Sequence, residues 1–171
     1  DTDKLTALSV YKASALVANV LSQTAAALSS ASSTVSSQQA ARAAAASIGN
    51  LITGSAAIDL SQSDTLKAVL LGAATTTGTT ASIEKLADSI SSVMALTNAA
   101  VSKVPLSTSD PLGALQSVVK AQVVAQGEAA TALAAAVSSG QSESLTRAYS
   151  ATTIASKLSE APVGTIAEGL D

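Results

Sequence analysis

A short polar segment, 59–64, carries oxygen atoms in a pattern that could bind calcium. Asp59, Ser61 and Asp64 place carboxylate and hydroxyl oxygens at nearly alternating positions, and calcium takes six to eight oxygen ligands in proteins. The segment lacks the glycine at the sixth position and the glutamate that closes a twelve-residue calcium loop. Capping of the following helix by Ser63 or Asp64 is therefore the preferred interpretation, and calcium binding is the alternative.

Four amide side chains fall near the apolar faces of two predicted helices. They are Asn19 and Gln23 on the first helix, and Gln122 and Gln126 on the fifth. One interpretation is a polar lining for a ligand held inside a helical bundle. The other is a set of hydrogen bonds between helices that fix their register, because buried polar groups need partners. The second is favoured, and Gly127 beside Gln126 fits a close helix crossing or a kink.

The residue types missing from the chain exclude most catalytic and metal chemistry. The chain has 171 residues with no His, Cys, Phe or Trp, two Tyr and a net charge of −3. Without His and Cys there is no imidazole base, thiol nucleophile, disulfide, or ordinary zinc, haem or iron–sulfur site. Low positive charge and few aromatic residues argue against nucleic-acid binding. We expect a protein that is not an enzyme and holds no cofactor, apart from the calcium alternative.

The elements that must position these residues are helices. The chain holds 38 Ala, 28 Ser and 18 Thr, with 40 Leu, Val and Ile at helical spacings, and Ala is the strongest helix former. A mean hydropathy of +0.41 argues against disorder. The uncharged stretch 13–41 has too many polar residues to supply about 20 predominantly apolar residues in a row. We predict an all-α antiparallel bundle of about six helices, without a transmembrane segment.

Caps, breakers and apolar spacings define these six helices. Their approximate bounds are 4–30, 37–52, 65–74, 80–105, 111–138 and 142–158, with Asp110 as an N-cap and Gly140 as a stop. On the first helix, the predicted inward stripe is Val10, Val17, Leu21, Thr24 and Leu28. On the fourth it is Ile83, Leu86, Ile90, Val93, Thr97, Ala100 and Val104, with Ser91 and Asn98 on the outer side. On the fifth it is Leu112, Leu115, Val119, Val123, Ala130, Leu133 and Val137.

The first and fifth helices have similar sequences. Leu5-Thr-Ala-Leu8 matches Leu112-Gly-Ala-Leu115, and the Ala-rich ends at 25–30 and 134–139 also match. Each helix is followed by a Ser/Gln linker and a helix with an Arg-Ala pair, at 42–43 and 147–148. The chain thus reads as one domain, 1–171, in which two related helical hairpins, 1–54 and 110–171 (with the tail), bracket middle helices at 55–109. Chance similarity between Ala/Ser-rich segments is the alternative.

Four segments carry a likeness to a known group of proteins. They are ALSVYKA (7–13), VANV (17–20), DPLGAL (110–115) and VKAQVVAQG (119–127). Together they resemble the Ala-rich helical modules of very large bacterial surface proteins, which sit beside cadherin-like, Ig-like or calcium-binding repeats. The resemblance covers most of the chain and carries over no catalytic residue. It implies a secreted, cell-surface protein with a structural or adhesive role.

Three functions fit the sequence. The first is a non-catalytic structural or adhesion module of a larger extracellular protein, which contacts neighbouring domains or copies of itself. The second is a bundle that holds an apolar lipid or pigment in its core, since a chain without Phe or Trp must either pack its helices closely or leave a cavity. The third is a filament subunit that associates through uncovered Ala and Ser faces.

Overall fold

The computed structural model describes residues 2–54, 57–106 and 109–162, and every regular element in them is helical. The α-helices are α1 (Thr2–Ala31), α2 (Ser37–Gly54), α3 (Ser63–Thr77), α4 (Thr80–Ile83), α5 (Ala87–Ser102), α6 (Pro111–Val123), α7 (Ala130–Ser139), α8 (Glu143–Ala148) and α9 (Ala151–Glu160). A 3-10 turn (Glu84–Leu86) joins α4 to α5, and a π segment (Val124–Ala129) joins α6 to α7. The all-α bundle is confirmed, and the predicted tail beyond residue 162 lies outside the described residues.

Local signals set several helix ends. The Asp110 side chain accepts a hydrogen bond of 2.9 Å from the amide of Gly113, and Pro111 occupies the first turn of α6. Gly78 and Gly140 end α3 and α7 in the left-handed conformation, with φ of 73° and 68°. This conformation is strained for other residues, which is why glycine occupies both ends. The predicted cap at Asp110 and the predicted stop at Gly140 are confirmed.

Three helices that the sequence predicts as continuous are interrupted, and the π segment is the interruption in the fifth. The predicted fourth helix contains the 3-10 turn, whose three residues per turn bring Ile83 and Leu86 onto one line, and both are buried. The predicted sixth helix breaks between α8 and α9, at Tyr149 and Ser150. It breaks there because Ser150 and Thr153 form a reciprocal capping box that starts α9.

Neighbouring helices are antiparallel where α1 meets α5. Lys12, early in α1, donates to the carbonyl of Val104 just beyond the end of α5. Further along α1, Asn19 meets Asn98, which lies earlier in α5. The two helices therefore run in opposite directions, as the sequence predicts for the bundle.

The rod formed by α6, the π segment and α7 is parallel to α1. The Tyr11 hydroxyl donates to Gln122 at 3.1 Å, and further along both elements Gln126 donates to Asn19 at 3.0 Å. Residue numbers therefore increase in the same direction along α1 and along the rod, so the two elements are parallel. The two helices with similar sequences thus lie side by side in the same direction, while their duplication stays a prediction.

The inward face of α1 differs from the predicted stripe. Val10 is 61% exposed and Val17 is 36% exposed, so their predicted place in the core is wrong. Ala15, Asn19 and Gln23 are buried on α1 instead. Small side chains let the backbones of neighbouring helices approach closely, and the amides find hydrogen-bond partners there, so side-chain size alone does not identify the buried face.

The rod from α6 to α7 departs from the predicted inward stripe only in α6. Leu112 is 53% exposed and Val123 is 40% exposed, which corrects their predicted inward position, whereas Ala130, Leu133 and Val137 are buried as predicted. The other buried positions are Ala114, Val118, Ala121, Val124, Ala125, Ala129 and Ala136. The spacing of four from Ala121 to Leu133 suits the wider turn of the π segment. Gly127 lies in that segment, and a Cβ built on it meets nothing within 4 Å. Of the two alternatives at Gly127, the close crossing is therefore excluded, and a local change of helix geometry is present.

Candidate functional site

A network of amide side chains occupies the centre of the bundle. Asn19 and Asn98 are fully buried, and the Asn19 Nδ2 donates to Asn98 Oδ1 at 3.1 Å. Asn98 Nδ2 donates in turn to the carbonyl of Leu60 at 2.7 Å, in the loop before α3. Gln126 Nε2 donates to Asn19 Oδ1 at 3.0 Å. These bonds join α1, α5, the π segment and one loop, and the partnered amides avoid the cost of an unpaired buried polar group.

Gln23 extends this network along α1. Its Nε2 donates to Thr97 Oγ1 at 3.0 Å and to the carbonyl of Ala125 at 3.1 Å. That carbonyl also accepts from the amide of Ala130 within the π segment, and a carbonyl oxygen has two lone pairs for this purpose. The Thr97 hydroxyl bonds to the carbonyl of Met94 at 2.9 Å. The irregular π segment thus supplies an acceptor to a buried glutamine.

One buried hydroxyl in this region has no partner. Thr24 is fully buried next to Gln23 in the sequence, and its Oγ1 makes no hydrogen bond with any residue in the described part of the chain. A hydroxyl buried without a partner costs roughly 1–3 kcal/mol by mutational data. The centre of the bundle is therefore polar and almost fully hydrogen-bonded.

The structure brings together three of the four predicted amides. Asn19 bonds to Gln126, and Gln23 lies one turn further along α1 with its own partners, Thr97 and Ala125. Gln122 accepts separately from Tyr11 at the half-buried edge of α1 and α6. The pocket between α2 and α3 and the groove along α1 are lined by residues other than these amides. The arrangement is that of hydrogen bonds between helices, which fix the register of α1 against its neighbours.

Two polar residues of α5 lie on its inward face, where the sequence does not predict them. Ser91 and Asn98 are both fully buried on α5, although the sequence predicts them on the outer side. They lie seven residues apart, each one position after a buried residue, Ile90 and Thr97. The adjacent pairs Ile90–Ser91 and Thr97–Asn98 repeat at a spacing of seven, which indicates a wide inward face. This pattern is the sequence signal that places Ser91 and Asn98 inside.

The calcium alternative concerns an exposed loop before α3. Asp59 Oδ1 accepts from the amide and hydroxyl of Ser61, at 2.9 and 2.6 Å, and its Oδ2 accepts from Gln62 at 3.1 Å. These bonds, led by the Ser61 hydroxyl, lower the pKa of Asp59. Over residues 2–54, 57–106 and 109–162, no group of three or more His, Cys, Asp or Glu side chains could hold a metal ion. Calcium binding at Asp59, Ser61 and Asp64 stays a prediction.

The predicted cap of the third helix is wrong. Gln62 is the N-cap of α3 and makes no side-chain capping bond, while Asp64 lies in the first turn. Ser63 instead exchanges a hydrogen bond of 3.1 Å with Ser91 on α5. The polar segment therefore joins α3 to α5 and closes its own turn through Asp59.

Two ion pairs form on the surface among the residues that the structure describes. Lys67 pairs with Asp88 at 2.7 Å between α3 and α5, and Lys157 pairs with Glu128. Each pair raises the pKa of its lysine, chiefly through the hydrogen bond to the carboxylate. Lys157 also lies 5.4 Å from the ring centre of Tyr149, whose pKa is raised by burial. Both pairs are open to solvent and are screened by salt, so they add little to stability.

The side of α1 that faces away from the network is mainly apolar, and it is exposed except at Leu21, which is partly buried against the core. We define the α1 outer face as Val10, Ala13, Ser14, Val17 and Leu21. The last four of these residues and Ala18 line a shallow groove of about 420 Å³. Val10, Val17 and Leu21 are spaced by seven and four, as in the seam of paired helices. The α1 outer face is therefore a candidate contact surface.

The same helix passes a simple test for a membrane span. Within the described residues, α1 is the one helix long and apolar enough to cross a membrane by length and composition, with 22% of its most apolar window buried. Mostly buried core helices of soluble proteins and signal sequences near an N-terminus pass the same test, so it is weak evidence for a span. Because Asn19 and Gln23 on α1 are hydrogen-bonded inside the bundle, the expectation of no transmembrane segment is retained as a prediction.

Comparison of the chain with protein-family models, with curated proteins and with solved structures finds no match. The resemblance to helical modules of bacterial surface proteins therefore stays a prediction that rests on the four sequence segments. The function has to be argued from the geometry of the bundle and its surfaces.

Proposed function

We propose that this chain is a non-catalytic structural or adhesion-type module of a larger extracellular surface protein, and that it acts through protein contacts. The α1 outer face is the surface that makes them. Its partner is a neighbouring domain or a second copy of the chain. The observation that carries this proposal is the exposure of Val10 and Val17, at 61% and 36%, along an uncharged helical seam.

The distribution of polarity across α1 supports this role. Buried Asn19 and Gln23 face its neighbours, while Val10 and Val17 face solvent. Burying a valine side chain is favourable by roughly 1.5–3 kcal/mol relative to leaving it exposed. A partner that covers the α1 outer face recovers this free energy. No charged side chain lines the groove. A partner helix of either net charge can therefore bind there without burying a charge next to another of the same sign.

The central network favours this function over an apolar ligand in the core. Hydrogen-bonded amides of Asn19, Gln23 and Asn98 occupy the middle of the bundle. A lipid or pigment between these helices would separate those partners and leave them unpaired, at a cost of about 1–3 kcal/mol for each group. A site for an apolar ligand would instead be lined mainly by apolar side chains.

Site-specific photocrosslinking tests the proposal on the full protein in the cells that produce it. A photoreactive amino acid replaces Val17, and a matched control replaces Ser144, which is exposed on α8. We expect crosslinks from position 17 to a neighbouring domain or a second copy, and none above background from position 144. Crosslinks to lipid, or equal products from both positions, would contradict the proposal.

Native mass spectrometry of the extracted protein separates the alternatives. A bound lipid or pigment of one-to-one stoichiometry would overturn the proposal in favour of the ligand-binding bundle. Open-ended assemblies of the chain would support the filament subunit. A calcium adduct that Asp59→Asn removes would establish the calcium site before α3 without changing the proposed function.

A further inference from the structure

A pocket lies between the N-terminal half of α2 and the last turn of α3. Its volume is about 450 Å³, and buried Val35 and Ala43 contribute to its apolar lining. Thr76, Thr77 and Arg42 contribute to its polar lining. This size lies within the range of roughly 300–1,000 Å³ that small-molecule sites occupy.

Arg42 is the one charged residue in the lining of this pocket. It makes no hydrogen bond or ion pair with any other residue that the structure describes. Gln39 beside it uses its Oε1 to accept from the amide and hydroxyl of Ser36, in a capping box at the start of α2. The guanidinium therefore presents its full set of N–H donors, in the planar geometry that pairs with a carboxylate through two parallel bonds.

The threonines present oxygen acceptors rather than donors. Thr76 donates its hydroxyl proton to the carbonyl of Gly72, and Thr77 donates to that of Ala73, both at 3.0 Å. Each hydroxyl has one proton and two lone pairs. One lone pair of Thr77 already accepts from the Thr79 hydroxyl at 2.9 Å, so Thr77 keeps one lone pair for a ligand. Because the protons are engaged within α3, the remaining lone pairs are suited to accept hydrogen bonds from ligand hydroxyl groups.

We propose that this pocket binds a carboxylate-bearing sugar, such as a uronic acid unit of an acidic glycan. Arg42 pairs with the carboxylate, and the oxygens of Thr76 and Thr77 accept from the sugar hydroxyls. Val35 and Ala43 contact the C–H surface of the ring. The pocket shares no residue with the α1 outer face, so this inference does not depend on the proposed function.

Nuclear magnetic resonance titration of the labelled chain tests the proposal with three small molecules. Glucuronate carries both the carboxylate and the hydroxyls, glucose lacks the carboxylate, and acetate lacks the hydroxyls. We expect saturable shifts of the amide signals of Val35, Thr76 and Thr77 with glucuronate, with a dissociation constant on the order of 1 mM for so small a ligand. Glucose and acetate should bind at least about tenfold more weakly, because each loses one set of partners.

Two arginine variants provide the matched comparison. Arg42→Gln removes the charge at an exposed position of α2, and Arg147→Gln removes the chain's other arginine, exposed on α8. We expect Arg42→Gln to weaken glucuronate binding at least about tenfold and Arg147→Gln to leave it unchanged, while circular dichroism shows both variants folded. Equal affinity for glucose, equal effects of the two variants, or the absence of saturable shifts would overturn the proposal.

Discussion

Replacement of two buried threonines by valine should change stability in opposite directions. Thr24 and Thr97 are both buried in helices that form the central network. Valine has nearly the same shape and a similar helix propensity, so each substitution chiefly exchanges a hydroxyl for a methyl group. The difference is that Thr24 Oγ1 has no partner in the described residues, whereas Thr97 Oγ1 bonds to Gln23 and to the carbonyl of Met94.

The magnitudes follow from these contacts. Thr24→Val removes an unpaired buried hydroxyl and should raise the free energy of unfolding by about 1 kcal/mol. Thr97→Val removes the acceptor of a buried amide of Gln23, and should lower the free energy of unfolding by about 1–3 kcal/mol. For a chain of this length, 1 kcal/mol corresponds to a shift in Tm of about 2–4 °C.

Urea unfolding followed by far-ultraviolet circular dichroism measures both variants, because the chain is helical and has no Trp. The slope of the transition should stay constant, so that a change of midpoint reports stability. A Thr24→Val variant less stable than the native chain would refute the reasoning, since it would mean that the hydroxyl has a partner, such as a buried water. A neutral Thr97→Val variant would show that the network does not stabilise the bundle.

Three further predictions concern helix ends and pH. Gly78→Ala should lower the free energy of unfolding by about 1–2 kcal/mol because Gly78 has a positive φ. Gly49 lies inside α2 with open space around it, so Gly49→Ala should raise the free energy of unfolding by up to about 1 kcal/mol. Thermal unfolding of the two variants measures both changes. Asp110→Ala should cost about 1 kcal/mol and speed amide exchange in the first turn of α6. In a Tyr11→Phe background, ultraviolet titration should show that Tyr149 ionises above its ordinary value near 10. Because the unfolded chain then releases that proton first, stability should fall as the pH rises above about 10.

Signals that act over a few residues could be read from the sequence. Asp110 before a proline marks the start of α6, and Gly140 marks the end of α7, because capping depends on neighbouring backbone groups alone. The reciprocal capping of Ser150 and Thr153 is a signal of the same local kind and starts α9, although the apolar spacing predicts one uninterrupted helix there.

The buried face of α1 could not be predicted from side-chain size. In a chain with so many small residues, Ala15 fills the space between close helices better than Val10 or Val17, which a pattern of large apolar residues selects. The position of Asn19 near an apolar face predicts that its amide needs a partner. Its partners are Asn98, which is buried, and Gln126, which is exposed. Asn98 cannot be predicted as that partner, because the apolar spacing of α5 places it on the solvent-facing side.

The placement of polarity on α1 has a consequence for how the bundle exists in its native setting. Asn19 and Gln23 fix the position of α1 along its axis relative to α5 and the π segment. Each amide forms its hydrogen bonds only when these elements are in register. The same helix leaves Val10 and Val17 in water, which gives no stability to an isolated chain. The buried amides hold α1 in place, and its apolar residues remain on the outside. The bundle is therefore suited to present a preformed helical face. Such a face loses little conformational entropy when a partner binds.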